Sequence, residues 1–125
     1  AFTLASMQGA NKGWMVGRTS ANKLQLSVGD GSSLHTVNGT ASVHNTAFNT
    51  FLATCSSGHQ AVWTDDVGGT AEATASNTYS PDTADALSIL TSGYAASPEM
   101  LIYDHELDST ERADLATYIS TAYGL

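Results

Sequence analysis

Three carboxylates alternate near the end of the chain, at Asp104, Glu106 and Asp108. Glycoside cleavage needs two carboxyl groups that face one groove, and alternate residues of a strand do point to the same side. These three residues, however, follow the last apolar run and lead into a helix start. We therefore expect structural roles for them, and the sequence predicts no enzyme.

Three aspartates in predicted turns offer the hard oxygen ligands that calcium prefers. Asp65 and Asp66 are the first candidates, and Asp30, within the turn Gly29-Asp30-Gly31, is the next. No EF-hand-like spacing accompanies them, which favours ordinary turn residues. Both interpretations stay open.

Carbohydrate binding would use an aromatic ring against a sugar face, with polar groups nearby. Tyr79 and Tyr94 lie in predicted loops and are the candidates for such a contact. A loop tyrosine also commonly serves packing, so this alternative stays open. Trp63 lies in the middle of a predicted strand, and we expect it in the core.

The other reactive side chains do not form a recognisable catalytic or metal-binding pattern. No serine stands in a nucleophile elbow, and no glycine-rich phosphate loop is present. The lone Cys55 excludes an internal disulfide and, within an apolar run, is expected to be a buried thiol. The histidines lack a zinc-like spacing and are expected on loops or surfaces: His35, His44, His59 and His105.

The composition fits one domain over residues 1–125. Charged residues make up only 13%, and 12 Asp and Glu against 4 Lys and Arg give a formal net charge of −8. An acidic surface repels phosphate backbones, so nucleic-acid binding is not expected. A basic amphipathic helix and a long apolar run are both missing from the sequence, so membrane binding is not expected either.

Short apolar runs bounded by turn residues predict eight or nine strands. The clearest is 23–28, where Leu24, Leu26 and Val28 share one face. The run at 100–103 is apolar on both faces, which predicts a closing strand buried between two layers. An all-β, two-sheet antiparallel sandwich follows. The predicted strands are 2–7, 13–18, 23–28, 33–37, 51–55, 60–64, 70–75, 86–90 and 100–103.

One short helix is predicted to close the chain. Asp108 and Glu111 have the spacing of a capping box, and Gly124 stands where a C-cap belongs. We expect the helix to pack across a sheet by one apolar face. That face comprises Leu115, Tyr118, Ile119 and Ala122.

The closing segment resembles the end of concanavalin A-like (laminin-G-like) jelly-roll domains. Those domains finish with an apolar-apolar-Tyr-Asp strand, a Leu, a Ser/Asp-x-x-Glu-Arg cap and a helix that ends in Tyr-Gly-Leu. The matching residues are Ile102, Tyr103, Asp104, Leu107, Ser109, Glu111, Arg112, Tyr118, Tyr123, Gly124 and Leu125.

The resemblance extends over most of residues 13–125. Leu52-Ala53-Thr54 with Gly58, then 62–67, resemble two neighbouring strands of the family, and 24–31 resembles an early strand that ends in Gly-Asp-Gly. The family usually has one or two further strands before residue 13. The resemblance thus implies one jelly-roll domain that lacks one or two N-terminal strands, with either a partner chain or a missing N-terminal part over the resulting edge.

Sequences of this kind occur in phage virion and tail proteins and in secreted bacterial adhesins. The resemblance implies a non-enzymatic surface recognition module, a virion decoration or adhesion domain with the potential to bind carbohydrate. Jelly rolls of this type often hold calcium at the rim, so the resemblance also implies calcium as a cofactor. Its expected location is the virion surface or the extracellular space. Its expected partner is a cell-surface glycan or a coat or filament subunit, and a homo-oligomer stays open. The alternatives are a purely structural assembly protein of a capsid or filament and, less favoured, a glycan-cleaving enzyme.

Overall fold

The computed structural model describes residues 2–43, 49–56, 58–81, 88–89 and 99–125. Eight strands and one helix lie in these ranges, and each strand overlaps a predicted apolar run. The ninth predicted strand, 100–103, is not a strand. The elements are β1 (Phe2–Gly9), β2 (Lys12–Arg18), β3 (Leu24–Gly29), β4 (Leu34–Asn38), β5 (Phe51–Ser56), β6 (His59–Thr64), β7 (Ala73–Ala75), β8 (Ser88–Ile89) and α1 (Ser109–Tyr123).

The strands form two antiparallel sheets that pack together. One has the order β4-β3-β2-β1-β8 and the other the order β5-β6-β7. The first four strands follow one another across their sheet, and β8 then returns to pair with β1. The predicted two-sheet antiparallel sandwich with one C-terminal helix is confirmed at this level.

The inner core lies between the two sheets. Leu24, Leu26 and Val28 of β3 are at most 1% exposed, as their alternation predicts. They pack with Val37 of β4 and with Val62 of β6, which reaches the same core from the other sheet. The lone Cys55 packs at the margin of this core, and burial raises its pKa. The prediction of a buried thiol is therefore confirmed only in part.

The three-stranded sheet is covered on its second face by α1. Trp63 points to this side, where Arg112 of α1 lies 5.1 Å above its ring, and the indole donates to the Gly69 carbonyl at 3.1 Å. The predicted core position of Trp63 is confirmed. This outer core comprises Leu52, Ala61, Trp63, Val67 and Leu107, against which Leu115, Ala116 and Ile119 pack.

Both ends of α1 are capped by the residues that the sequence predicts, Asp108 and Gly124. The Asp108 carboxylate accepts hydrogen bonds from the amides of Thr110 at 2.7 Å and Glu111 at 2.9 Å. The Glu111 carboxylate accepts from the Asp108 amide at 2.8 Å, which completes the predicted capping box. Gly124 ends the helix at φ 69°, a left-handed conformation that glycine adopts without strain. Within the described residues, no helix has both the length and the apolar character that a membrane crossing requires.

Candidate functional site

The segment 99–107 forms a wall beside α1 and not the predicted closing strand. Leu101, Ile102 and Tyr103 are 47%, 60% and 43% exposed, so their predicted burial between two layers is wrong. The physical reason is that the outer face of the three-stranded sheet is already filled by α1 and by Leu107, which is 4% exposed. The apolar run before Leu107 therefore stays outside the core.

A groove of about 450 Å³ lies between this wall and α1. Three leucines and two tyrosines line its apolar part, and three carboxylates and one imidazole complete the lining. We call it the acidic aromatic groove. Its lining residues are Glu99, Leu101, Tyr103, His105, Leu107, Glu111, Asp114, Leu115 and Tyr118.

Glu99 binds two tyrosines of α1, Tyr118, which lines the groove, and Tyr123. Its Oε2 atom accepts hydrogen bonds from the hydroxyl groups of Tyr118 and Tyr123, each at 2.8 Å. The two rings meet edge to face, with their centroids 6.5 Å apart. The hydrogen bonds to Glu99 hold the pKa of Tyr118 above its ordinary value and raise the pKa of Tyr123 to about 12. Both phenols therefore stay neutral at physiological pH.

His105 joins the wall to the start of α1. Its Nδ1 lies 2.8 Å from Asp104 Oδ1, and its Nε2 lies 3.1 Å from Glu111 Oε1. Hydrogen bonds to Asp104 and Glu111 raise the pKa of His105. The hydrogen bond between His105 and Asp104 also lowers the pKa of Asp104. The Tyr103 ring stands edge to face against this imidazole at 6.4 Å.

Glu106 anchors the wall to the sheet beneath it. Its carboxylate accepts hydrogen bonds from Ser56 Oγ at 2.8 Å and Thr54 Oγ1 at 3.2 Å, and lies 2.6 Å from His59 Nδ1. Burial raises the pKa of Glu106, but the hydrogen bonds from Ser56 and His59 outweigh it, and the net effect lowers that pKa. Sequence reasoning assigned Glu106 a structural role but did not find these partners.

The three alternating carboxylates do not face one groove. Asp104 binds His105, Glu106 turns to the sheet, and Asp108 caps α1. Each has a hydrogen-bonding role in the local structure, as expected from their position after the last apolar run.

Asp30, a predicted calcium ligand, closes its own turn. Its Oδ1 accepts from the amides of Ser32 and Ser33, each at 2.7 Å, and its Oδ2 lies 2.7 Å from His35 Nε2. The hydrogen bond from His35 and the two from the amides lower the pKa of Asp30 to about 2. Both carboxylate oxygens thus already have partners.

Asp65 and Asp66, the other predicted calcium ligands, follow the last residue of β6. Asp65 adopts φ 66°, and its Oδ1 accepts from the Thr50 amide at 2.9 Å. Asp30 lies toward the other end of β6. The segment 77–80 accepts from the Gly58 amide, just before β6, and donates to the Gly29 carbonyl, next to Asp30. In the described part of the chain no three His, Cys, Asp or Glu residues are grouped for a metal ion. Calcium stays a prediction.

Of the two predicted sugar-contacting tyrosines, only Tyr79 is among the described residues, and it does not line the acidic aromatic groove. Tyr79 is half-buried and packs against the inner core, which agrees with the packing alternative for a loop tyrosine. Tyr94 lies outside the described residues. Sugar binding by these two residues stays a prediction.

Sequence reasoning did not find the acidic aromatic groove, although α1 carries a signal for it. Glu111, Asp114, Leu115 and Tyr118 are spaced i, i+3, i+4 and i+7, so they share one side of the helix. Tyr118 was expected on the packed face, but it is 45% exposed, and Ala122 is exposed as well. The packed face is thus narrower than predicted, and an acidic and aromatic stripe adjoins it.

Comparisons with known proteins give no match, either to a family model, to a curated protein or to a solved structure.

Proposed function

We propose that this domain is a non-enzymatic surface recognition module that binds carbohydrate in the acidic aromatic groove. The observation that supports it is the lining of that groove, where Tyr103 and Tyr118 stand beside three carboxylates. Tyrosine rings offer flat apolar faces to the C–H side of a sugar, while carboxylates accept hydrogen bonds from its hydroxyl groups. The volume of about 450 Å³ lies within the range of small-molecule sites.

The fixed geometry of the lining adds support. Glu99 holds Tyr118 by its hydroxyl group, and the capping box and His105 hold Glu111. Side chains that are already held in place lose little conformational freedom when a ligand binds, so weak polar contacts contribute more to affinity.

The proposal includes a concanavalin A-like jelly roll and a location on a virion or outside the cell. Two packed antiparallel sheets and the return of β8 to β1 support the fold, because a chain that crosses back to its first sheet is a property of double-sheet rolls. The proposed partner is a cell-surface glycan. A solved structure with two simple meanders and no further crossing between sheets would contradict the jelly roll.

The test is glycan-array binding of the whole chain, followed by titration of the best glycan against Tyr103→Ala. We expect the variant to bind roughly tenfold more weakly, a loss of about 1.4 kcal/mol. The matched control is Ile102→Ala, because Ile102 is the exposed neighbour that does not line the groove. Equal losses in both variants, or a blank array, would overturn the proposal. Repeating the array with a chelator tests calcium separately.

An assembly role is the second candidate, and three exposed apolar side chains favour it. Leu101, Ile102 and Leu125 are 47%, 60% and 53% exposed. Large apolar side chains left exposed on a folded domain are candidates for a contact with another protein, most clearly the sequence neighbours Leu101 and Ile102. Light scattering of the purified chain tests this role. A stable oligomer that Ile102→Ala dissociates would support assembly, and a monomer at all concentrations would contradict self-assembly.

A further inference from the structure

The acidic aromatic groove has an unbalanced charge. Glu99, Glu111 and Asp114 line it, and none of its described lining residues is Lys or Arg. Arg112 of α1 does not line the groove, and its guanidinium lies over the Trp63 ring and donates to the Leu107 carbonyl at 2.9 Å. His105, which contacts Glu111 at 3.1 Å, is the one basic side chain among the described lining residues.

Two of the three carboxylates have their charge partly satisfied within the protein. Glu99 accepts from two phenols, and Glu111 accepts from the Asp108 amide and contacts His105. Asp114, by contrast, is exposed, and no hydrogen bond or ion pair joins its carboxylate to another described residue. Asp114 is thus the carboxylate of the groove that is available to a ligand.

A ligand that complements this lining carries a positive charge next to an apolar face. From this charge complementarity we propose that the groove selects saccharides with free amino groups, that is, oligomers of a hexosamine with unacetylated nitrogen. The sugar face packs on Tyr103 or Tyr118, and the ammonium group binds Asp114. This inference rests on the proposed carbohydrate-binding function and names its ligand class.

The chemistry distinguishes this ligand from its relatives. An ammonium group near a carboxylate forms a charge-assisted hydrogen bond, and near a tyrosine face it gains a cation–π attraction. A neutral glucose oligomer has neither advantage, and a uronic acid oligomer is repelled by the three carboxylates. N-acetylation removes the charge and adds bulk while it leaves the sugar ring unchanged.

The experiment is calorimetric titration of the whole chain, in a chelator at about pH 5.5, where amines and carboxylates are both charged. The probes are tetramers of glucosamine, N-acetylglucosamine, glucose and galacturonic acid, with tetralysine as a peptide probe. We expect the glucosamine tetramer to bind at least roughly tenfold more tightly than the glucose tetramer. The advantage should shrink when salt rises from roughly 50 to 500 mM.

Asp114→Asn isolates the charge, and Asp66→Asn is its matched control. Both substitutions remove one exposed negative charge, but Asp66 lies in the turn after β6 and does not line the groove. We expect Asp114→Asn to lose most of the preference for glucosamine and Asp66→Asn to keep it. The circular dichroism spectrum of each variant establishes that it is folded.

The outcomes separate this inference from the proposed function. Equal binding of the glucose and glucosamine tetramers would overturn the amino-sugar inference and leave carbohydrate recognition standing. Binding of no saccharide would overturn both. Tetralysine that binds as tightly as the glucosamine tetramer would overturn the saccharide assignment and point to a basic protein segment.

Discussion

Glu106 holds the wall of the acidic aromatic groove to the sheet, so its replacement should weaken the fold and the groove together. The carboxylate contacts two hydroxyl groups and one imidazole, at Ser56, Thr54 and His59. A hydrogen bond contributes about 0.5–1.5 kcal/mol net, and more when one partner is charged. The Glu106 side chain is 28% exposed, which places each contribution in the lower part of that range. We expect Glu106→Ala to lower the free energy of unfolding by about 2–3 kcal/mol.

Glu106→Gln refines this prediction because it keeps the shape and removes the charge. The amide oxygen of glutamine still accepts one hydrogen bond, but its NH₂ group is a donor and faces other donors. We therefore expect Glu106→Gln to lower the free energy of unfolding about half as much as the alanine variant does. The lowered pKa of Glu106 adds a signature in acid. A carboxyl whose folded pKa is depressed contributes stability that is present above its unfolded pKa and lost as pH falls through the folded one. The loss caused by Glu106→Gln should therefore shrink below about pH 4.

Urea unfolding measures both effects, and Asp104→Ala is the control. Asp104 stands two residues away on the same wall, but its side chain is 99% exposed, and its contact to His105 is on the surface. Exposed ion pairs contribute little to stability, so this variant should unfold at nearly the wild-type midpoint. If Glu106→Ala and Asp104→Ala shift the midpoint equally, Glu106 is not the anchor and the reasoning fails.

Two further predictions concern pH and backbone packing. Because the folded pKa of His105 is raised, its contribution to stability is complete below the ordinary value and is lost as pH rises through the raised one. The melting temperature of the wild type should therefore fall between about pH 6 and 8, and His105→Gln should remove part of that fall. The same dependence of melting temperature on pH in both proteins would contradict this. Gly29→Ala should lower the free energy of unfolding by about 1–3 kcal/mol, because the new Cβ atom would overlap the backbone of Asn11. An unchanged urea midpoint would show that the turn around Asn11 moves away without a loss of stability.

The strands and the helix could be predicted because their signals are local. The alternation of Leu24, Leu26 and Val28 fixes the inner face of β3 whatever the neighbouring strands are. The capping box of Asp108 and Glu111 likewise lies within one turn of chain. Such patterns depend on backbone periodicity and on nearby hydrogen bonds, both of which can be read from the sequence.

The groove could not be predicted because it depends on what already covers the sheet. The run 100–103 has the composition of a buried strand, but composition does not reveal that Leu107 and α1 occupy the available face. The partners of Glu106 show the same limit, since Ser56 and Thr54 are separated from it by 50 and 52 residues. Asp30 is the opposite case, because the three partners of its carboxylate lie within five residues. Its role as a turn residue could therefore be predicted from the sequence, as an alternative to calcium binding.

The exposed run Leu101-Ile102-Tyr103 is the feature of this fold that stability alone does not explain. The anchors of the wall, the half-buried Glu106 and the buried Leu107, follow this run and would hold the chain equally well behind polar residues. Three consecutive exposed apolar side chains are a liability for aggregation. Glu99 and Asp104 stand close to the two ends of the run, where charged residues oppose aggregation without covering the apolar surface. An exposed apolar run of this kind is compatible with the proposed ligand against Leu101 and Tyr103 and with the proposed protein contact at Ile102.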